Sequence, residues 1–398
     1  TSPDAATGQY IPADVLAALS SESPDGSVNA LSRDFEIPTT TKFSIGVAHQ
    51  RDLGALGEDW LLSADVLHNT LDNTSYWYDQ RCEQPVSTAP DGRGVYDCGG
   101  APEAIVVGSF DGGESTLFAL SATKEWDTKA GRFDLFASYT HADVKDIGYG
   151  TSSTATSNYS DFAAYDRQSP REGISNFQVE HMFKMRVNWR KELVPGYETR
   201  VSLFATRRSG QPYSYTFSEN NSCVLDIDTS PERPNYNRCG RESRNDDAGH
   251  LLYVPAGIND PLFSPASFGG DAAAQQAFID YIDGSELAQY RGGIAARNGD
   301  NSSMTTIVDL RLQQELPALS SDHSFKLFLD IENLGNLLND DWGRIERTRY
   351  EYERDVVSAA IDNGQYRYFD LKSPSSINNL QVLSQSVWQL QIGLKYEF

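Results

Sequence analysis

The end of the chain carries the clearest pattern. Trp388, Leu390, Ile392, Leu394, Tyr396 and Phe398 share one parity, and Gln389, Gln391, Gly393, Lys395 and Glu397 share the other. Successive side chains of a strand point to opposite faces, so this segment predicts a strand with one wholly apolar face. Its aromatics sit at the two ends with aliphatic residues between. A lipid-spanning strand has that arrangement, with an aromatic girdle at each interface, and the eleven residues match the ~9–11 of a tilted crossing.

The same period recurs upstream. Val179, His181, Phe183, Met185, Val187 and Trp189 alternate with Glu180, Met182, Lys184, Arg186, Asn188 and Arg190, which puts His181 near one interface. Tyr197, Thr199, Val201, Leu203 and Ala205 form a second such face, Phe133, Leu135, Ala137 and Tyr139 a third, and Trp60, Leu62, Ala64 and Val66 a fourth. Weaker members are 38–49, 115–126, 304–316 and 323–334; in 304–316, Asp309 and Arg311 oppose Val308, Leu310 and Leu312. With the C-terminal segment these make nine strands.

The connections are sorted by length. Short links at 50–57, 127–131, 191–196 and 317–322 alternate with long ones at 73–114, 145–174, 219–303 and 335–384. Outer-membrane barrels have short periplasmic turns and longer extracellular loops, so the alternation predicts an all-β, antiparallel transmembrane β-barrel with the long loops outside. Nine is odd, whereas single-chain bacterial barrels have even strand numbers. We therefore expect 1–398 to be part of one barrel domain, with 1–37 an extracellular loop segment holding a short helix near 12–19, and 219–303 a large extracellular loop. A further strand at 104–110 would instead make ten. Within the large loop, Phe278, Tyr281 and Ile282 share a helical face that is expected to pack on its own loop.

Composition narrows the classes. Of 398 residues, 33 are Lys or Arg and 56 are Asp or Glu, a net charge of 33 − 56 = −23. No run approaches the ~20 apolar residues of a spanning helix, and so acidic a surface does not suit nucleic acid. The four cysteines form two pairs of equal span, Cys82/Cys98 and Cys223/Cys239, inside long loops. Two local disulfides and an oxidising compartment are the expectation. Zinc ligation is the competing reading, but the close Cys-x2-4-Cys pairs it favours are missing.

Catalytic chemistry leaves no trace. There is no phosphate loop, His-Glu-x-x-His or Gly-x-Ser-x-Gly, and the six histidines, at 49, 68, 141, 181, 250 and 323, are scattered without helical ligand spacing. No enzyme, cofactor or metal is expected. Acidic pairs such as Asp226/Asp228 are what 56 carboxylates produce by chance, and none has EF-hand spacing. The one candidate ligand-binding cluster is Tyr76, Trp77 and Tyr78, for which an interface girdle is the competing reading.

The chain resembles the C-terminal half of TonB-dependent outer-membrane receptors, most closely the Oar-like group. The terminal Trp388-Gln389-Leu390-Gln391-Ile392-Gly393-Leu394-Lys395-Tyr396-Glu397-Phe398 is similar to the outer-membrane assembly signal, with Phe398 as its last residue. Glu332-Asn333-Leu334-Gly335-Asn336 is similar to an Asn-Leu element of these receptors. Tyr290-Arg291-Gly292-Gly293-Ile294-Ala295, followed by 309–317, resembles the Oar-like group in particular, and Gln9-Tyr10-Ile11-Pro12-Ala13-Asp14 and Gly210-Gln211-Pro212-Tyr213 agree with it.

The resemblance implies a barrel of about 22 strands in a Gram-negative outer membrane, closed by a plug that a TonB box couples to TonB–ExbB–ExbD. Neither plug nor box is found in these residues. The implied partners are that motor, the outer-membrane assembly machinery and outer-membrane lipid. The implied function is import of a peptide, protein or other large or scarce ligand. The competing class is an outer-membrane scaffold whose loops hold a surface or secreted partner.

Overall fold

The computed structural model describes residues 27–98, 104–148, 150–218, 225–227, 249–318, 323–348, 352–377, 381–382 and 384–398. Strands make up 54% and helices 13%, with antiparallel sheets dominant, so the protein is all-β. Nine strands form one meander: β1 (Thr39–Arg51), β2 (Trp60–Asp72), β3 (Glu114–Thr128), β4 (Gly131–Asp146), β5 (His181–Val194), β6 (Tyr197–Arg208), β7 (Thr305–Pro317), β8 (Ser324–Glu332) and β9 (Gln389–Glu397). Each pairs antiparallel with the next in chain order. Among the described residues β1 and β9 are not paired to each other, so the sheet is open at these two edges. The expected strand at 104–110 exists as Ala104–Phe110, but it joins Val28–Leu31 and Thr74–Asp79 in a separate sheet. The meander therefore keeps nine strands.

Register aligns the alternation from strand to strand, because directly paired residues share a face. Val66 lies opposite Ile45 and Phe118, Ala137 opposite Ala122 and Met185, Leu203 opposite Val187 and Leu310, and Leu329 opposite Leu312 and Ile392. One face is thus apolar across all nine strands. Among the described residues no element covers it: Leu120 and Phe183, in strands with neighbours on both sides, are still 42% and 46% exposed. A one-residue slip of any strand would carry its apolar set to the polar side.

Aromatics gather at the short-turn end of this face, where Trp60, Trp126, Phe133, Trp189 and Tyr197 sit on the successive strands β2 to β6 and Tyr396 on β9. The Trp60 and Trp126 rings meet edge to face at 5.8 Å. The Trp60 indole donates to the Leu56 carbonyl (3.0 Å) and that of Trp189 to the Ala130 carbonyl (2.9 Å), so apolar rings are tethered by their polar edges to the turns. At the β3–β4 turn Gly131 has φ +131°, and a Cβ there would stand 2.6 Å from Trp189 Nε1. Only glycine fits that close approach.

Since strands alternate in direction, the four short turns fall at one end and the four long connections at the other. The long connections pack on each other into a cap with its own core, including Tyr213, Tyr215, Phe217, Leu252, Tyr366 and Tyr368. Among the described residues, Ala142 is the one buried apolar residue within the nine strands. The core is in the cap and the sheet has none. Helix α1 (Ala272–Asp283) begins where the Asp271 side chain accepts from Ala273 and Ala274 N. It turns Phe278 and Ile282 into that core, fully buried, as its apolar face required.

Cys82 and Cys98 are disulfide-bonded, with Cα atoms 4.8 Å apart. Cys223, Cys239 and the expected helix at 12–19 lie outside the described residues. Closing a loop of this length restricts the unfolded chain by about 3 kcal/mol. A Cys82→Ala/Cys98→Ala variant is therefore expected to speed hydrogen exchange across 83–97 severalfold while leaving β3 and β4 unchanged. Unchanged exchange in the loop would show that its packing alone holds it.

Candidate ligand-binding surface

The polar parity of the sheet carries charge in register. Asp134, Asn188, Ser202, Arg311, Asp330 and Gln391 form one row from β4 to β9. Asn188 donates to Asp134 (2.6 Å), Arg190 pairs with its other oxygen (3.4 Å), and Arg311 pairs with Asp330 at 3.4 Å while lying 4.8 Å above the Phe328 ring. A second row links Lys326 to Glu315 (3.3 Å) and Glu397 (2.8 Å). In the second row Lys326 lies opposite Lys395, and the two carboxylates of Glu315 and Glu397 offset the two ammonium groups.

Where this face meets the cap lies a cavity of about 640 Å³. Arg186, Phe204, Asp309 and Arg311 floor it, and Ile345 and Val387 close its upper side. Asn333 fixes the roof. It ends β8 in the left-handed conformation, φ +52°, donates its backbone N–H to Asp309 Oδ1 (2.8 Å), and donates its side-chain amide to the Gly343 and Ser386 carbonyls at 2.9 and 2.7 Å. Asparagine tolerates that conformation because its short polar side chain bonds locally. One residue thus joins a sheet strand to two cap segments. The Arg186 and Arg311 side chains are about half exposed, at 53% and 48%, and the Oδ1 atoms of Asp330 and Asn333 have no hydrogen-bond partner among the described residues. Donors and acceptors converge there, which suits a polar ligand bearing both charges or many hydroxyls and amides.

The sequence-expected aromatic cluster falls in the cap. Tyr76 is buried, donates its hydroxyl to the Arg167 carbonyl at 2.9 Å, and stacks edge-on against Phe110 and Phe162 at 5.5 and 6.1 Å. Burial pushes its phenol well above the ordinary value, offset in part by Arg167 and Arg297. Trp77 and Tyr78 are half-buried on the same strand. Tyr76 also borders a smaller cavity of about 290 Å³ with Phe162, Arg171, Glu172 and Arg297, so the cluster combines a packing role with one wall of a recess. Phe398 is 93% exposed at the end of β9.

Two polar centres order the cap and escaped sequence reading. Arg93 is fully buried, pairs with Asp91 at 2.7 Å, and donates to the Leu251 (2.9 Å) and Tyr165 (3.3 Å) carbonyls. Burial opposes its charge, but Tyr366 and Asp91 outweigh that and hold its pKa above the ordinary guanidinium value. Nearby, Tyr213 and Tyr215 both donate to Asp300, the latter at 2.9 Å, with Arg354 stacked 3.7 Å from the Tyr213 ring. Burial and the Asp300 bonds push both phenols well up. Paired Tyr-x-Tyr spacings at 213/215 and 366/368 were the available signal, because period two puts both rings of each pair on one side of a strand.

Compared with known proteins, the chain matches no family model and no curated sequence.

Two predictions follow from the buried charges. Arg93→Met leaves Asp91 buried without its partner, which costs about 3–5 kcal/mol; the cap should unfold earlier by near-UV dichroism, and adding Asp91→Leu should recover part of the loss. Asp355 accepts from the Thr216 hydroxyl (3.1 Å); burial raises its pKa, offset by Thr216 and Lys372. A raised native value gives stability below the unfolded pKa that is lost as pH rises through the native one. Asp355→Asn should therefore raise the cap's melting temperature at pH 7 and leave it unchanged near pH 3, as thermal scans at the two pH values would show.

Proposed function

We propose that this chain supplies wall strands, external loops and the C-terminal assembly signal of a TonB-dependent outer-membrane receptor of the Oar-like kind, which captures an external ligand and imports it. The observation that carries the reading is the apolar face, continuous over nine strands and covered by none of the described elements. In water each exposed Leu, Phe or Met left on it forfeits about 1.5–3 kcal/mol of burial, and patches of such size mark a membrane or a partner. An aromatic belt at the turn end and long connections gathered at the other are what an outer-membrane wall needs. The polar face then lines the lumen, and a plug and TonB box on further sequence provide the coupling to TonB–ExbB–ExbD.

On this reading the protein is not an enzyme. The cap and the cavity beneath it, with Arg186, Arg311 and Asp330, gather a peptide, protein or other large polar ligand. Charges already paired along the wall hold it weakly enough to release it inward when the motor moves the plug. The independent core of the cap favours a second reading, a scaffold presenting a rigid platform to a surface or secreted partner. Collapse of the proton-motive force separates the two: it should stop ligand loss from the medium in the transporter and leave partner binding intact in the scaffold.

The membrane assignment has a direct test in one pair of variants. Ala137 is on the apolar face between Ala122 and Met185, and Ala119 is on the polar face between Asp65 and Thr140. In lipid bilayers Ala137→Arg should destabilise by about 2–4 kcal/mol, with Ala119→Arg near neutral, measured by denaturant titration of the liposome-inserted protein. Equal effects would remove the membrane from the account.

A further inference from the structure

No two histidines stand at helical ligand spacing. Antiparallel pairing brings two of them together: His141 on β4 lies directly opposite His181, the first residue of β5, and their ring centroids are 5.0 Å apart. Glu180 precedes His181, and its carboxylate stands 3.6 Å from His181 Nε2. One ligand atom from each of the three residues lies within 4.8 Å of the other two.

The surroundings orient this group. Glu180's carbonyl accepts from Ala142 N (2.9 Å) and from His141 Nδ1 (3.1 Å), so in the neutral His141 ring the lone pair is on Nε2. His181 Nδ1 is hydrogen-bonded to the Tyr139 hydroxyl at 2.9 Å, which leaves Nε2, the nitrogen facing Glu180, for a further bond. Metal-ligating imidazoles are held in this way through their second nitrogen, by a carbonyl or another polar group. The backbones are fixed by the ladder, while the His181 and Glu180 side chains are 40% and 38% exposed and free to close by the ~1 Å that metal–nitrogen bonds of about 2.0–2.1 Å require.

We propose that His141, Glu180 and His181 form a binding site for a divalent transition ion of the zinc class. Two imidazoles and one carboxylate are a donor set for such an ion rather than for calcium or magnesium, which favour oxygen alone. Three protein ligands leave the fourth position open, so the ion exchanges water or takes an outside ligand there. The site is at the long-loop end of the apolar face, away from the polar cavity, and does not depend on the functional reading above.

The test uses the full chain in detergent, with Zn²⁺ as the probe, in competition with a chromophoric chelator. One Zn²⁺ per chain is expected; His141→Ala, His181→Ala and Glu180→Gln should each weaken it at least tenfold, and Tyr139→Phe about tenfold through the lost orienting bond. A His141→Ala/His181→Ala variant that binds Zn²⁺ as tightly as the parent would overturn the proposal. Should the variants misfold, acylation of histidines by diethyl pyrocarbonate in the unaltered protein decides: Zn²⁺ should protect His141 and His181 and not the exposed His49. Equal modification with and without Zn²⁺ would overturn it as well.

Discussion

An apolar surface that none of the described elements covers is the constraint on which everything else depends. Nine strands keep one parity apolar, and the ladder aligns those parities without a break from β1 to β9. In a sandwich a second sheet would meet that face about 10 Å away. Here the long connections all leave at the same end and pack on each other around a shared core. The sheet is therefore stabilised by its hydrogen-bond ladder and by whatever surrounds it. The cap behaves as an ordinary protein interior.

That division explains where the polar chemistry lies. Charges that would be ruinous on the apolar side are paired across strands on the other, and the cavity forms where that charged wall passes under the cap. Asn333 is the joint between the two regimes. Its backbone ends a sheet strand and its side chain holds two cap segments, so movement of the roof is tied to β8. Arg93 performs a similar task inside the cap, drawing separate loops to one guanidinium that is charged despite full burial.

Much of the sheet was legible in the sequence because alternation is a local property. Phe183 to Trp189 or Leu390 to Tyr396 declare their faces without any knowledge of neighbours, and the sorted loop lengths give the order. The cap was legible in one element, the helix whose Phe278 and Ile282 share a side. Its remaining order comes from contacts between residues far apart in sequence, such as Arg93 with Leu251, which no periodicity records. The strand Ala104–Phe110 shows the limit: its pattern fits a strand, but only its pairing with Val28–Leu31 and Thr74–Asp79 tells which sheet it joins. The His141–His181 pair needed register as well, since forty residues separate them.

The central claim, that the apolar parity faces lipid and the polar parity faces water, is tested most directly on a single strand. Spin labels placed one at a time along β4 from Phe133 to Thr140, in the bilayer-inserted protein, would report collision with oxygen, which enriches in lipid, and with a water-soluble nickel chelate. The account predicts a period of two, with positions 133, 135, 137 and 139 favouring oxygen and 134, 136, 138 and 140 the chelate. Equal access to the chelate at both parities would contradict it.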